Sequence, residues 1–168
     1  MIEEARRQVS ENGYAATTIR SIAHACGIGV GTMYNYFPSK DMLLASFMLE
    51  DWMNTLDAMN ARIAGAATTR QIFLAVHECL SAYVAEHNAL FSDPDALVAY
   101  VTTLHKHHAQ MRGQIATLFT AYLPDALTEE PFTAQFLAES LLSWTIEGEQ
   151  FDAIYSVIQK IIPEGEIV

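Results

Sequence analysis

The stretch TTIRSIAHACGIGVGTMYNYFPSKDMLL, residues 17–44, decides the fold. Its apolar residues recur three and four positions apart, which is the spacing of helices, and Gly27 separates two short helical segments. The second segment, about residues 30–36, ends before Pro38, because proline cannot continue a helix. Small polar and aromatic residues crowd this segment: Thr32, Tyr34, Asn35 and Tyr36. We expect a helix of this composition to contact something outside the protein.

Two short helices joined by a glycine-containing turn form a helix-turn-helix. Ala23 is small enough to let the second helix approach the first, and Met33 is expected to pack on Ile19 and Ile22. The polar side chains of the second helix then remain outside. In such motifs the N-terminal part of the second helix enters the DNA major groove, where hydroxyl and amide groups bond to base edges or phosphates. The second helix is therefore predicted to be a recognition helix.

The remainder of the chain also has helical spacing, without the alternating stretches typical of strands. We predict an all-α fold of about nine helices. The first helix is expected over residues 2–11, and a long helix is expected to start after Ser39. The last two helices are predicted over residues 131–147 and 149–162.

The charge of the chain is unevenly distributed. The net charge is −11 over 168 residues, which is unusual for a nucleic-acid-binding protein. Residues 1–50 carry four basic and five acidic residues, a net charge of −1, whereas residues 51–168 carry five basic and fifteen acidic residues, a net charge of −10. The acidic residues are therefore concentrated away from the helix-turn-helix.

The chain is expected to be cytoplasmic, without a membrane partner. Cys26 and Cys79 are its two cysteines and fall in different predicted helices, which argues against a disulfide framework. The first residues mix both signs of charge and lack the apolar region of a signal peptide. No apolar run reaches the length of a membrane span.

The helix-turn-helix closely resembles that of the TetR (tetracycline-repressor) family of transcriptional regulators. The resemblance covers residues 1 to about 48, and the remainder agrees in helix number and length. The matching positions are Gly13-Tyr14, Thr18, Ile22-Ala23, Gly27, Gly31-Thr32, Tyr34, Tyr36-Phe37, Ser39-Lys40 and Leu43-Leu44. The resemblance implies a DNA-binding domain over residues 1–48 and an effector-binding and dimerisation domain over residues 49–168. It also implies a homodimer that binds a near-palindromic double-stranded DNA operator, usually to repress.

Carried over by position, the resemblance implies a set of DNA contacts. Thr18 would lie against a phosphate, Arg20 would read a guanine, and Lys40 would contact a phosphate at the start of the long helix. The full predicted set is Thr18, Arg20, Gly31, Thr32, Tyr34, Asn35, Tyr36 and Lys40. The chain has Gly29 and Val30 where the family commonly has a serine and a lysine, and Gln8 and Val9 where it usually has a leucine-phenylalanine pair. We expect the latter pair to weaken the packing of the first helix.

A pocket for a small apolar or aromatic effector is predicted in the C-terminal domain. His108 interrupts a long apolar stripe, and a polar group on such a stripe needs a partner, which can be a side chain, a water or a ligand. The predicted lining residues are Tyr83, Tyr100, His108, Met111, Phe119 and Trp144. A residue of each of these types is more often part of the core than a ligand contact. His105 and His108 are one turn apart on a regular helix, but His107 points elsewhere, and a zinc site needs three or four converging ligands, so we expect no metal and no cofactor.

The last two helices carry large apolar residues, some of which must face the core of their own protomer. In the resembling family these helices pair with their two-fold mates as a four-helix bundle. The predicted dimerisation residues are Phe136, Leu141, Phe151, Ile154, Ile158 and Ile161. Two-fold symmetry would place two recognition helices about 34–36 Å apart, as operator binding requires.

The sequence leaves two alternative functions to consider. A helical small-molecule binding protein that has lost DNA binding is compatible with Val30 and with the weak charge of residues 1–50. An enzyme is not expected, because no acid-base pair, activated nucleophile or phosphate-binding loop has a convincing spacing.

Overall fold

The computed structural model describes residues 1–91, 94–124 and 130–162, with the side chains of these residues other than 89, 91, 95–106 and 131. The described residues form nine helices and none of them lies in a β-strand, which confirms the predicted all-α fold. The helices are α1 (Ile2–Asn12), α2 (Ile19–Ala25), α3 (Val30–Tyr36), α4 (Lys40–Ile63), α5 (Thr69–Glu86), α6 (Asn88–Phe91), α7 (Pro94–Tyr122), α8 (Pro131–Ile146) and α9 (Phe151–Ile158). None of these helices is both long enough and apolar enough for a membrane crossing.

The chain divides into two compact units. Unit 1 consists of Met1–Trp52 together with Ala85–His107, and unit 2 consists of Met53–Val84 together with His108–Val168. Unit 1 therefore contains α1 to α3 and also α6, which is distant in sequence. The predicted domain division after residue 48 remains a prediction.

Unit 1 is organised around the packing of α2 and α3. Ile22, Ala23 and Met33 have no solvent-exposed surface, and the predicted role of Ala23 as a close contact point agrees with this burial. The chain leaves α2 through Gly27, whose φ of 66° is left-handed, and the Ile28 N–H then donates to the Ala23 carbonyl at 3.0 Å. This is the hydrogen bond that closes a helix C-terminus around a glycine.

Unit 2 is held by an aromatic cluster that joins α5, α7 and α9. The rings of Phe73 and Phe119 lie 4.7 Å apart between centroids, and Tyr155 lies 6.1 Å from Phe73. The Arg70 guanidinium lies 5.0 Å from the Phe151 ring centroid and also donates to Asp152 at 2.7 Å. These contacts fix the start of α9 on α5.

Helix α9 is shorter than predicted. The pattern predicted a helix over residues 149–162, but α9 spans Phe151–Ile158. Gly148 has a φ of 87°, and the N–H groups of Lys160 and Ile161 donate to carbonyls three residues earlier. The apolar spacing continues through this tighter turn, which is why the pattern could not show where the α-helix ends.

We predict that Gly27→Ala lowers the free energy of unfolding by about 1–2 kcal/mol, because a side chain disfavours the left-handed conformation. Urea titration followed by circular dichroism measures this. Gly113 in α7 is the control, since an added Cβ there meets nothing within 4 Å. Gly113→Ala should instead raise the free energy of unfolding by about 0.5–1 kcal/mol. A Gly27→Ala protein as stable as wild type would contradict the conformation of this turn.

Candidate nucleic-acid interface

Helix α2 begins with a capping box. The Thr18 Oγ1 accepts a hydrogen bond from the Ser21 N–H at 3.0 Å, and the Ser21 Oγ accepts one from the Thr18 N–H at 3.1 Å. Thr17 is buried and donates to the Gly13 carbonyl, whereas Thr18 and Arg20 are exposed. The capping interaction therefore fixes the start of α2 and leaves the Arg20 side chain facing solvent.

Helix α3 is attached to the protein by a single buried side chain. Of its seven residues, all of which the structure describes, only Met33 is buried. Tyr34 and Tyr36 are 52% and 65% exposed. Gly31, Thr32 and Asn35 are exposed as well. The predicted recognition helix thus offers hydroxyls, an amide and two aromatic rings to solvent.

Four of the predicted DNA-contact residues line one open depression on unit 1. They are Thr18, Arg20, Tyr34 and Lys40, accompanied by Val30 and Ser39. Gly31, Thr32, Asn35 and Tyr36 are exposed on α3 outside this lining. The depression therefore combines the start of α2, one side of α3 and the start of α4.

Lys40 also has a role within the protein. Its Nζ donates to the Tyr14 carbonyl at 2.9 Å and lies 3.7 Å from the centroid of the Tyr14 ring. The Tyr14 hydroxyl donates to Asp41. These contacts fasten the turn after α1 to the start of α4. Because an ammonium carries three donors, the bond to Tyr14 is compatible with a phosphate contact.

Gln8 is a supporting residue whose role the sequence did not reveal. Gln8 and Val9 are both buried, which does not agree with the weak packing expected at these two positions. The Gln8 side chain accepts from the Ser21 Oγ at 2.7 Å and donates to Glu4 at 2.7 Å. Glu4 also accepts from Arg7, and hydrogen bonds from Arg7 and Gln8 lower the pKa of Glu4 to about 2. The four-residue spacing of Glu4 and Gln8 on α1 was a signal in the sequence for the hydrogen bond between them. The contact between Gln8 and Ser21, which lies 13 residues after Gln8, had no such signal.

The predicted effector-binding residues lie in different surroundings. Tyr83, Met111 and Phe119 are buried in unit 2. The His108 Nε2 lies 3.2 Å from Glu139, whose carboxylate also accepts from Ser143 at 2.8 Å. Burial opposes ionisation of Glu139, but the bonds from Ser143 and His108 outweigh it and its pKa is lowered.

Of the two other predicted effector residues, the structure describes only the side chain of Trp144. Trp144 is 49% exposed and lines a surface groove between α8 and α9. The side chain of Tyr100 lies outside the described residues. The structure thus brings Tyr83, Met111 and Phe119 into one buried unit and separates Trp144 from that buried set.

A surface groove with largely apolar walls lies between α8 and α9 in unit 2. It has a volume of about 380 Å³, and its exposed walls are Phe136, Trp144, Val157 and Ile161. Among the predicted dimerisation residues, Phe136 and Ile161 are exposed, and Ile154 and Ile158 form the buried floor of the groove. Leu141 and Phe151 are buried within the protomer and do not line the groove. Phe132, 73% exposed, and Val157, 57% exposed, were not predicted.

Residues 1–47 match the family model described as bacterial regulatory proteins of the tetR family. Residues 1–47 therefore form a TetR-family region. This match confirms the resemblance that the sequence predicted for residues 1 to about 48.

Two relatives and one solved structure extend this comparison. The chain is 27% identical over 124 residues to the Fatty acid metabolism regulator protein of Bacillus subtilis, covering 73% of this chain and 60% of that protein. It is 40% identical over 60 residues to the transcriptional repressor KstR of Mycobacterium tuberculosis, covering 36% of this chain and 27% of that protein. The fold is similar to that of the TetR family repressor AlkX from Dietzia, with a TM-score of 0.64, 16% identity, and coverage of 96% of this chain and 90% of that one.

Proposed function

We propose that this TetR-family chain is a DNA-binding transcriptional repressor that acts as a homodimer and responds to a small ligand. The observation that carries the proposal is α3, which has one buried anchor and otherwise presents its side chains to solvent. Exposed side chains add little stability to a two-turn helix unless a partner covers them. Double-stranded DNA is the partner that fits, since the family match covers this helix. The protein would act in the cytoplasm, where the operator lies, and we expect no catalytic turnover.

The proposed contacts follow from the chemistry of each side chain. Arg20 is exposed, and a guanidinium can bond to both acceptors on the major-groove edge of guanine. Thr32, Asn35 and Tyr36 can bond to base edges or phosphates. Lys40 is proposed to contact a phosphate at the start of α4.

The decisive experiment measures binding to the DNA immediately upstream of the protein's own gene. Fluorescence anisotropy at two salt concentrations should give saturable binding that weakens at the higher salt, because phosphate contacts release counterions. Arg20→Ala should weaken specific binding by roughly tenfold or more, since one bidentate pair contributes about 1–3 kcal/mol of discrimination.

The control for Arg20→Ala is Arg62→Ala, which removes an exposed arginine that pairs with Glu78 in unit 2. This variant should bind DNA like the wild type. If wild type binds no DNA at any salt concentration, a ligand-binding module without DNA binding is the better account.

Gly31 gives an independent test of the DNA face. An added Cβ at Gly31 meets no atom within 4 Å, so the protein's own packing does not require glycine there. Because glycine within a helix costs about 0.8–1 kcal/mol relative to alanine, Gly31→Ala should raise the free energy of unfolding. The same variant should weaken operator binding, since the methyl group would occupy space that the DNA approaches. A variant that is both more stable and equally tight in DNA binding would contradict this part of the proposal.

The groove between α8 and α9 is proposed to form the dimer interface. Phe136, Trp144, Val157 and Ile161 are large, apolar and exposed in one protomer, and two-fold pairing would cover them with their own copies. Such pairing is isologous, which means that both protomers contribute the same surface patch to the interface. It would also set the separation of the two recognition helices.

Val157→Asp is expected to dissociate the dimer without unfolding the protomer. Val157 is 57% exposed in the protomer, so an aspartate there stays in contact with water. In the dimer interface the same carboxylate would be buried without a partner, which is costly. Sedimentation velocity measures the oligomeric state and circular dichroism the fold. Ser156→Asp is the control, since Ser156 is exposed on the adjacent position of α9 but does not line the groove. Equal dissociation by both substitutions would implicate charge in general and would count against this interface.

The effector is proposed to be an apolar molecule with a long aliphatic chain. The relative from Bacillus subtilis is named for fatty acid metabolism, and AlkX is described as implicated in the biodegradation of n-alkanes. The buried methionine and aromatic side chains of unit 2 suit such a ligand, because methionine adapts to irregular apolar shapes. Helix α4 runs from unit 1 into unit 2, so its displacement could connect effector binding with operator release. By linkage the operator would weaken effector binding by the same factor.

A further inference from the structure

A buried carboxylate in unit 1 joins three segments of the chain. Asp51 of α4 is 7% exposed. Its Oδ1 accepts from Nη1 of Arg6 on α1, and its Oδ2 lies 3.0 Å from the Nε2 of His87. His87 is 3% exposed and occupies the corner between α5 and α6, where its carbonyl accepts from the Leu90 N–H. The Arg6–Asp51–His87 cluster therefore connects α1, α4 and the α5–α6 corner.

Phe47 packs within the same cluster. The His87 ring is stacked on Phe47 at a centroid distance of 6.3 Å and an interplanar angle of 15°. The Arg6 guanidinium lies 5.6 Å from the Phe47 ring centroid. An ionised carboxylate only accepts hydrogen bonds, so the His87 Nε2 must carry the proton in the contact with Asp51. Aromatic packing and a directed donor together restrict the orientation of the His87 ring.

Protein stability alone does not require such a cluster. Removing charges from water is costly, and well-packed apolar residues of similar volume often stabilise a fold equally well. The Arg6 Nε is buried and has no hydrogen-bond partner among the described atoms, which adds to this cost. Buried ionic groups are best known for specifying one arrangement over its alternatives. The arrangement specified in this case is the position of α1.

The position of α1 matters because its other side supports the start of α2. Gln8 is two residues beyond Arg6, and two residues on a helix project about 200° apart. The Gln8 side chain accepts from Ser21, which belongs to the capping box of Thr18. Helix α1 thus stands between the Arg6–Asp51–His87 cluster and the end of α2 that carries Thr18 and Arg20.

We propose that Arg6, Asp51 and His87 are positioning residues for DNA binding. They hold α1 so that, through Gln8 and Ser21, the start of α2 keeps the orientation that the operator requires. The cluster also makes this orientation depend on the α5–α6 corner. This inference rests on the proposed DNA-binding function and deepens it.

The first test compares two substitutions of His87. His87→Phe keeps an aromatic ring against Phe47 but removes the donor to Asp51, whereas His87→Gln keeps a donor near the position of Nε2. Operator affinity is measured for each variant at a temperature where circular dichroism shows it to be fully folded. We expect His87→Phe to bind about tenfold more weakly than wild type, and His87→Gln to stay within about twofold, since couplings through such networks reach about 0.5–2 kcal/mol.

The second test is a double-mutant cycle between Arg6→Gln and Asp51→Asn. If the cluster acts as one unit, the double variant binds operator no more weakly than the weaker single variant. Glu11→Gln is the control, because Glu11 also pairs with an arginine of α1, Arg7, but on the exposed surface. This control should bind operator like the wild type.

The possible results separate the inference from the proposed function. Folded His87→Phe and Asp51→Asn proteins that retain wild-type operator affinity would overturn the positioning role and leave the DNA-binding function intact. An additive cycle would overturn the cluster as a unit. A wild-type protein that binds no DNA would instead remove the proposed function on which the inference depends. If Asp51→Asn does not fold, the comparison of the two His87 variants still decides.

Discussion

The position of α3 depends on the packing of Met33 against α2. Helix α3 has seven residues, and isolated helices of that length are not stable in water. Its helical state therefore depends on the contact of Met33 with the buried face of α2, where Ile22 and Ala23 have no exposed surface. Because Met33 alone attaches α3 to the core, the other side chains of α3 need not pack inside the protein. Those side chains are therefore available to a partner.

Helix α8 illustrates the opposite situation. Leu137, Ala138, Leu141 and Leu142 are fully shielded in the protomer, and yet Phe132, Phe136 and Trp144 of the same helix are exposed. A helix that is apolar on all sides is normally covered on all sides. The fold of one protomer covers only part of this helix, and the remaining apolar surface is the one proposed above to be covered by a second copy.

The sequence predicted those elements whose signals are local. The bounds of α3 agree with the prediction at both ends, because a glycine precedes it and Pro38 follows it. The sequence left Thr17 and Thr18 as alternative N-caps of α2, and the structure has Thr18 in that role, a choice that depends on residues within one turn. The family resemblance was carried by the same continuous stretch.

The sequence could not predict contacts between distant positions. Arg6 and Asp51 are 45 residues apart, and Asp51 and His87 are 36 residues apart. Nothing in the spacing of either pair indicates that the side chains meet. The effector residues presented a different difficulty. An apolar stripe has the same spacing whether it fills a core or lines a cavity, so Trp144 of the surface groove and Phe119 of the core looked alike in the sequence.

The weak charge of residues 1–50 makes the proposed DNA binding depend strongly on the orientation of individual side chains. Residues 1–50 have a net charge of −1, so attraction to phosphates supplies little general affinity. A strongly basic domain tolerates a small misorientation because its non-specific contacts persist. In this protein a rotation of α2 would remove the proposed contact of Arg20, and Lys40 at the start of α4 is the one other cation among the proposed contacts. The positioning role proposed for the cluster on Asp51 and the dimer interface proposed for α8 and α9 would therefore both control one quantity, the placement of a small number of side chains on DNA.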